Sequence, residues 1–275
     1  MRCFNPRRLP NPAANGIEDA FIQTGCGKCY GCLSNRRRGW LFRLYNEHLS
    51  SLFSLFVTFT YSDDYCDGYL HKDHFQKFIK RLRKYEDIVY YAIGEYGTTT
   101  YRPHYHAVIF FKSADTDESV LSYYLLVNSL WYYGFAYPCR VTYRRLNYVL
   151  HYHVRPKEPV EGKHTFQLFS KGLGLSFLDD NIIQYLVDTK ATTIRDFNGN
   201  IYVIPRYYRK KLIEIGYDIE VPRSYDKDYS VLRIEKVFHK KIYEIPDRLI
   251  ASYIKDLKNK SDKKIAKYNH QDKYV

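Results

Sequence analysis

The central part of the chain alternates between two hydrophobic patterns. Runs of β-branched and aromatic residues predict strands, whereas apolar residues spaced at i, i+3, i+4 and i+7 predict amphipathic helices. Phe75, Phe78, Ile79 and Leu82 have the helical spacing, with lysines and arginines between them. In chain order, the predicted elements are strand 55–61, helix 72–84, strands 89–96 and 105–111, helix 118–132, strand 134–141 and helix 144–154.

This order of elements predicts an α+β fold built on a ferredoxin-like sheet. The first six elements form a split βαβ arrangement, in which helices cover one face of a single antiparallel sheet. Segment 97–102 fits a hairpin connection, so strands 89–96 and 105–111 should pair directly. Side chains from these two strands would then lie together on the uncovered face.

The two ends of the chain differ from this central pattern. Residues 1–50 combine a Cys-rich module, dominated by loops, with an Arg-rich helix from 36 to 49. Residues 161–275 form a basic and aromatic C-terminal extension, with a turn and a strand signal near 198–204. We therefore predict three regions: 1–50, 51–160 and 161–275.

Charge and aromatic content indicate a partner. The formal net charge is +13, and aromatic residues make up 17% of the chain, including 30 tyrosines. A basic surface attracts polyanions and aromatic rings stack on unpaired bases, which favours single-stranded nucleic acid. A solvated basic surface around a tyrosine-rich core is the alternative. No apolar run is long enough for a membrane span and the N-terminus lacks the apolar segment of a signal peptide, so we expect no membrane and a cytoplasmic location.

A metal site is predicted on the paired strands. His104 and His106 are two positions apart, so on a strand both imidazoles point to one face, and Glu95 lies on the neighbouring strand. Two imidazoles and a carboxylate suit Mn²⁺, Mg²⁺ or Zn²⁺, with positions left for water or phosphate. The alternative is that these polar residues merely flank a strand. A second His-Tyr-His, at 151–153, falls on a predicted helix, where the two rings diverge, and it is assigned no ligand role.

Two tyrosines offer a nucleophile. Tyr148 and Tyr152 are four positions apart on the predicted helix 144–154, so both hydroxyls could reach one site. A phenol titrates near pH 10 and needs help from a metal or a base before it attacks at neutral pH. Together with the metal site, the pair predicts cleavage of single-stranded DNA with covalent capture of the broken end. Chance spacing among many tyrosines is the alternative.

The cysteines predict a second metal site. Cys26, Cys29 and Cys32 are separated by two residues each, and Cys3 is available as a fourth ligand for a structural Zn²⁺. Free structural thiols are the alternative. Basic and aromatic residues elsewhere are predicted to contact DNA phosphates and bases, although a solvated face would have the same composition. They are Arg36, Arg37, Arg38, Arg81, Arg83, Lys84, Arg206, Tyr207 and Tyr208.

Taken together, the motifs resemble the replication initiation proteins of microviruses, small circular single-stranded DNA phages, and especially the gokushovirus branch. These proteins are His-hydrophobe-His endonucleases of rolling-circle replication. The resemblance covers roughly residues 1–175. The motifs that carry it are the Cys26 to Cys32 run, Phe56-Val57-Thr58-Phe59-Thr60-Tyr61, Gly94-Glu95-Tyr96-Gly97, Arg102-Pro103-His104-Tyr105-His106 and Tyr148-Val149-Leu150-His151-Tyr152.

The resemblance implies roles for these residues. Residues 51–160 would be the nuclease domain, with His104 and His106 as its metal pair and Tyr148 and Tyr152 as its nucleophiles. The family usually places lysines after the second tyrosine; here Arg155 and Lys157 follow it.

The implied activity is origin nicking. A 5′-phosphotyrosine link forms with Mn²⁺ or Mg²⁺ as catalytic ion, and the strand is later rejoined. Host helicase and DNA polymerase would be the partners, in the cytoplasm of a bacterial host. A transposase or relaxase of the same nuclease class, or a zinc-containing nucleic-acid-binding protein without catalysis, are the rival interpretations.

Overall fold

The structure is a computed structural model. It describes residues 3, 6–11, 20–97, 99–112, 120–151, 162–191, 193–195, 199, 201–217, 237–239, 244–246 and isolated positions up to 263. In chain order the elements are β1 (Arg7–Pro10), β2 (Phe21–Thr24), α1 (Tyr30–Leu49), β3 (Phe53–Tyr61), α2 (Lys72–Leu82), β4 (Ile88–Tyr96), β5 (Pro103–Phe111), α3 (Val120–Leu130), β6 (Gly134–Arg140), α4 (Tyr143–Val149), β7 (Phe166–Phe169), α5 (Asp180–Thr189), β8 (Thr193–Arg195), β9 (Ile201–Val203) and α6 (Arg206–Glu214).

The main sheet has five antiparallel strands in the order β6-β3-β5-β4-β7. Strands β3 to β6 have the order and alternation of the split βαβ arrangement, so the predicted ferredoxin-like α+β fold is confirmed. β7 adds a fifth strand beside β4, with Phe166 opposite Gly94. The sequence did not predict β7, because four residues are too short a run to separate from a loop.

Helices cover parts of both faces of this sheet. On one face, α2 and α3 pack on Leu55, Val57 and Phe59, as the split βαβ arrangement predicts. On the other face, α1 and α4 pack on Phe56 and Val108. This second face was expected to be uncovered. It is covered because the alternate residues of β3 and β5 are apolar as well, and burying each such side chain stabilises the fold by about 1.5–3 kcal/mol.

Helix α4 is shorter than the predicted helix 144–154. Thr142 caps its start by accepting a hydrogen bond from the Arg145 N–H at 3.3 Å. The helix ends at Val149, because the Leu150 N–H bonds the Tyr148 carbonyl and so tightens the chain out of the α-helical pattern. The predicted continuation of the helix is therefore wrong from Leu150 onward.

The described residues form two compact units. One contains the described residues between 39 and 184, and with them the main sheet. The other contains the described residues up to 38 and from 185 onward, including the hairpins β1–β2 and β8–β9 and helix α6. The three predicted regions, with boundaries at 50 and 160, stay a prediction.

Among the residues that the structure describes, no helix combines the length and apolar character needed to span a bilayer.

Candidate metal and tyrosine site

The pairing of β4 with β5 determines which side chains meet. Glu95 lies directly opposite His104, and Ile93 lies opposite His106. Because positions two apart on a strand share a face, and paired residues share it too, Glu95, His104 and His106 project from the same side of the sheet.

The three predicted ligands converge. The Glu95 Oε1 atom lies 3.3 Å from His104 Nε2 and 3.4 Å from His106 Nε2. One ligand atom from each of the three lies within 4.8 Å of the others. The side chains are largely buried, with 15% of Glu95, 19% of His104 and 8% of His106 exposed. The cluster is thus shielded from water yet open to a substrate on one side.

The opposite nitrogens of both rings are held by partners. His104 Nδ1 lies 3.2 Å from the Arg102 carbonyl, and His106 Nδ1 lies 3.0 Å from Thr58 Oγ1. A carbonyl only accepts, so His104 donates from Nδ1, which in the neutral ring leaves the Nε2 lone pair facing the Glu95 carboxylate. Two such groups repel each other unless a cation lies between them. The donor set therefore fits a divalent metal ion, and an imidazolium is the other way to satisfy these contacts.

Tyr148 faces this cluster from α4. Leu146 and Val149 of the same helix are fully buried against the sheet, which directs Tyr148 toward β5. Its hydroxyl lies 3.4 Å from His106 Nε2, and its ring meets the His106 ring edge-on at 5.1 Å. Phe56 stacks on the other side of His106, with ring centroids 5.6 Å apart. The phenol oxygen is therefore beside the same nitrogen that faces Glu95.

Several predicted residues lie outside the described residues, namely Tyr152, Arg155 and Lys157. The argument that places Tyr148 and Tyr152 on one helical face depended on a helix that continues to 154. Since α4 ends at Val149, helical spacing does not extend to Tyr152.

The four predicted cysteines of the N-terminal segment come together. One Sγ atom from each of Cys3, Cys26, Cys29 and Cys32 lies within 4.8 Å of the others, and Sγ of Cys3 and Sγ of Cys29 are 3.8 Å apart. A tetrahedral zinc with Zn–S bonds of about 2.3 Å needs sulfur atoms about 3.8 Å apart.

Backbone groups already stabilise part of this thiolate cluster. The N–H groups of Cys29 and Lys28 lower the pKa of the Cys26 thiol to about 6. Burial raises the pKa of the Cys32 thiol to about 12, so a cation is needed before all four sulfurs can be thiolates together.

Some predicted DNA contacts have other partners in the protein. Arg81 donates two hydrogen bonds to the Leu130 carbonyl and lies over the Tyr132 ring, and Arg83 donates to Ser170 Oγ at 3.1 Å. Tyr208 is fully buried, so the expectation that it stacks on a base is wrong: its ring packs into the core of its own unit. The remaining positions are at least partly exposed: Arg36, Arg37, Arg38, Lys84, Arg206 and Tyr207.

The sequence pointed to neither Thr58 nor Phe56 as part of this site. β3 pairs with β5, and Thr58 lies opposite His106. The alternation Phe56, Thr58, Thr60 placed these residues on one face of a strand, but only the strand order shows that this strand adjoins the histidines.

Comparisons with known proteins indicate where this arrangement occurs. Residues 54–157 match the family model of the replication-associated protein ORF2. That range covers β3 to α4 apart from the first residue of β3, and hence the whole cluster with Tyr148. No solved structure matches the chain significantly.

Three phage proteins show the same relationship. The chain is 28% identical over 265 residues to Replication-associated protein ORF2 of Spiroplasma virus 4, covering 86% of this chain and 81% of that protein. It is 27% identical over 237 residues to Replication-associated protein ORF4 of Chlamydia phage 1, covering 76% and 57%. It is 31% identical over 130 residues to Replication-associated protein VP4 of Bdellovibrio phage phiMH2K, covering 40% and 41%. The resemblance predicted from the motifs is therefore confirmed, and the chain is a relative of the microvirus replication-associated proteins.

Proposed function

We propose that this chain initiates replication of a small circular single-stranded DNA phage by nicking the origin and later rejoining the strand, as in rolling-circle replication. One observation carries the proposal: the Tyr148 hydroxyl lies 3.4 Å from His106 Nε2, the nitrogen that also faces the Glu95 carboxylate. A nucleophile, two imidazoles and a carboxylate within contact of one another are the parts that a metal-assisted phosphoryl transfer requires.

Glu95, His104 and His106 would hold the catalytic ion, Mn²⁺ or Mg²⁺. When bound, such an ion polarises the scissile phosphate and neutralises the charge that develops on its oxygens. Thr58 and the Arg102 carbonyl keep the imidazoles oriented, and the partly buried site limits competition from water.

The covalent step exchanges one phosphodiester for another. The Tyr148 phenol oxygen attacks phosphorus as the bond from phosphorus to the 3′ oxygen breaks, and the phenol gives up its proton while the 3′ oxygen gains one. The products are a 5′-phosphotyrosine and a 3′-hydroxyl primer. Because the new ester retains the energy of the old bond, a 3′-hydroxyl can later attack it and close a circle. Tyr152 is proposed as the second nucleophile, with Arg155 and Lys157 as phosphate contacts.

The N-terminal cysteine cluster is proposed to hold a structural Zn²⁺. Four sulfurs within 4.8 Å of one another match a closed tetrahedral site. Short strands such as β1 and β2 bury little apolar surface, since all four residues of β1 are exposed, so a metal would supply stability that the hairpin lacks.

The partners follow from the products. The substrate is single-stranded origin DNA, a 3′-hydroxyl primer needs a host DNA polymerase, and strand displacement needs a host helicase, which places the reaction in the bacterial host cytoplasm. Of the rival interpretations, a transposase or relaxase shares the metal pair, but the curated relatives are named as replication-associated proteins. A zinc protein that binds DNA without catalysis is separated from the proposal by experiment.

The test is adduct formation on single-stranded oligonucleotides tiled across the phage plus strand. The label belongs at the 3′ end, because the fragment that stays attached to tyrosine retains that end. With Mn²⁺ we expect a labelled adduct that survives denaturant, and no adduct with a chelator. Binding without an adduct would favour the non-catalytic alternative.

The variants assign the nucleophile. We expect Tyr148→Phe combined with Tyr152→Phe to abolish the adduct, whereas either single change can leave activity with the partner tyrosine. Tyr143→Phe is the matched control, since Tyr143 is on the same helix but packs against Tyr45. An adduct that persists in the double variant would show that another residue is the nucleophile.

A further inference from the structure

A second group of metal-binding side chains lies at the start of α2. His71 immediately precedes this helix, and Asp73 and His74 are in its first turn. One ligand atom from each of the three lies within 4.8 Å of the others. α2 packs on the face of the sheet opposite to Tyr148, so this group is separate from the candidate nicking site.

Hydrogen bonds determine the tautomer of His71. Its Nε2 lies 2.8 Å from Asp67 Oδ2. A carboxylate only accepts, so the proton is on Nε2, and in the neutral ring Nδ1 keeps its lone pair. A carboxylate that holds the far nitrogen of a histidine is the usual outer partner of a metal-binding imidazole.

A chain of hydroxyl groups determines the tautomer of His74. The Tyr105 hydroxyl donates to the His71 carbonyl at 2.9 Å, which uses its one proton. The Tyr61 hydroxyl, 2.6 Å from that of Tyr105, must then be the donor between the two. Its oxygen is left to accept from His74 Nδ1 at 3.0 Å. In the neutral ring, the lone pair of His74 is therefore on Nε2.

Other contacts favour access to these two lone pairs. Within the described part of the chain, neither His71 Nδ1 nor His74 Nε2 has a hydrogen bond. A cavity of about 450 Å³ is lined by His71 and Asp73, which leaves room for an ion and for water. Lys77 pairs with Asp73 at 2.9 Å, but both side chains are more than half exposed, and such a pair contributes little.

We propose that His71 Nδ1, His74 Nε2 and the Asp73 carboxylate bind a divalent transition-metal ion, with Zn²⁺ as the best match. Two imidazoles favour a transition metal over Mg²⁺ or Ca²⁺, and one carboxylate completes three protein ligands with a position open to water. The site is independent of the nicking reaction, since none of its ligands contacts Glu95, His104 or His106 within the described residues.

The test counts zinc bound by the full-length protein in equilibrium dialysis. His71→Gln keeps an amide nitrogen near Asp67, and His74→Asn keeps one near Tyr61, but neither replacement has the second ring nitrogen. We expect the double variant to bind one Zn²⁺ fewer per chain than the unsubstituted protein. His48→Asn is the matched control, because His48 bonds Ser54 and belongs to none of the metal-binding groups. An equal count in the double variant would overturn the proposal.

Two further measurements cover a variant that fails to fold. Lys77→Gln removes the cation that competes for Asp73, and we expect it to tighten zinc binding at this site several-fold. In the unsubstituted protein, Zn²⁺ should shift the imidazole ¹⁵N resonances of His71 Nδ1 and His74 Nε2. If neither resonance responds, the site does not exist, whatever the nicking assay shows. Conversely, failure of the nicking assay leaves the zinc count unchanged.

Discussion

Thr58 and the Arg102 carbonyl bond the imidazole nitrogens that face away from Glu95. Without them, each ring could turn about its side-chain torsions and the two Nε2 atoms would seldom converge. Outer partners of this kind typically change metal affinity or activity by about 10–100-fold when they are removed. The histidines therefore supply the ligand atoms, but their neighbours supply the geometry.

Thr58→Val tests this role. Valine has nearly the same shape as threonine but cannot bond His106 Nδ1, so we expect adduct formation to need about 10–100-fold more Mn²⁺. The measurement is the Mn²⁺ dependence of adduct yield. Thr60→Val is the matched control: Thr60 is two positions along the same strand, and its hydroxyl contacts the Phe135 carbonyl. Equal Mn²⁺ dependence in both variants would remove Thr58 from the site.

At this scale the sequence predicted the residues that carry unusual chemistry. His104, His106 and Glu95 were found because a period of two places them on one face of two paired strands. Thr58 was not found, because a threonine in a β-branched run is ordinary and only the pairing of β3 with β5 shows its partner. Tyr208 was misjudged because an aromatic residue in a basic run has the same sequence whether it is buried or exposed.

The turn from α3 into β6 limits how the sheet can form. Gly134 begins β6 opposite Tyr61, where the backbone of β3 passes unusually close. A Cβ atom on Gly134 would lie 2.4 Å from the Ser62 nitrogen and 2.4 Å from the Thr60 oxygen. Both neighbours are backbone atoms of the strand that carries Thr58, so they cannot move aside without shifting that strand.

Gly134→Ala should therefore destabilise the main sheet. We expect a loss of about 1–3 kcal/mol in the free energy of unfolding, as for other overpacked positions, measured by denaturant titration. Gly97→Ala is the control, since the nearest atoms to its added Cβ are 3.6 Å away or farther, and we expect a change within about 0.5 kcal/mol. A Gly134 variant as stable as the Gly97 variant would show that the close approach is not real.

The elements themselves were largely predictable. Long periodic segments gave β3 to β6, α2 and α3, because each buries one face and exposes the other. Short elements were missed: β1, β2 and β7 have four residues each, and α6 was interpreted only as a basic run. The end of α4 was wrong by several residues, because a local change in hydrogen bonding at Leu150 has no periodic signal.

The whole molecule combines a sheet unit with a unit built from both ends of the chain. In the second unit, segments far apart in sequence meet: the Arg38 guanidinium, for example, lies over the Tyr202 ring at 5.1 Å. No periodic pattern links such segments, so the sequence predicted three successive regions and could not predict this association. The four cysteines lie in this unit, which gives zinc a large part in its stability.

Zinc removal should therefore affect the two units differently. With a strong chelator, we expect faster amide hydrogen exchange in β2 and in the first turns of α1, while β3 and β5 keep their protection. Hydrogen exchange with mass spectrometry makes the comparison. Cys29→Ser should reproduce the effect, whereas Cys139→Ser should not, because Cys139 contacts Phe56 in the sheet unit. Unchanged exchange with the chelator would mean that the cysteines are free thiols.

The central claim is that a tyrosine beside the Glu95, His104 and His106 cluster becomes linked to DNA. Mass spectrometry of the peptide that retains a nucleotide after nuclease and protease digestion tests it most directly. We expect the nucleotide on Tyr148 or Tyr152, and on Tyr148 alone when Tyr152 is replaced by Phe. A nucleotide attached to any other residue, or no linked peptide from a DNA that is demonstrably cut, would contradict the proposed mechanism.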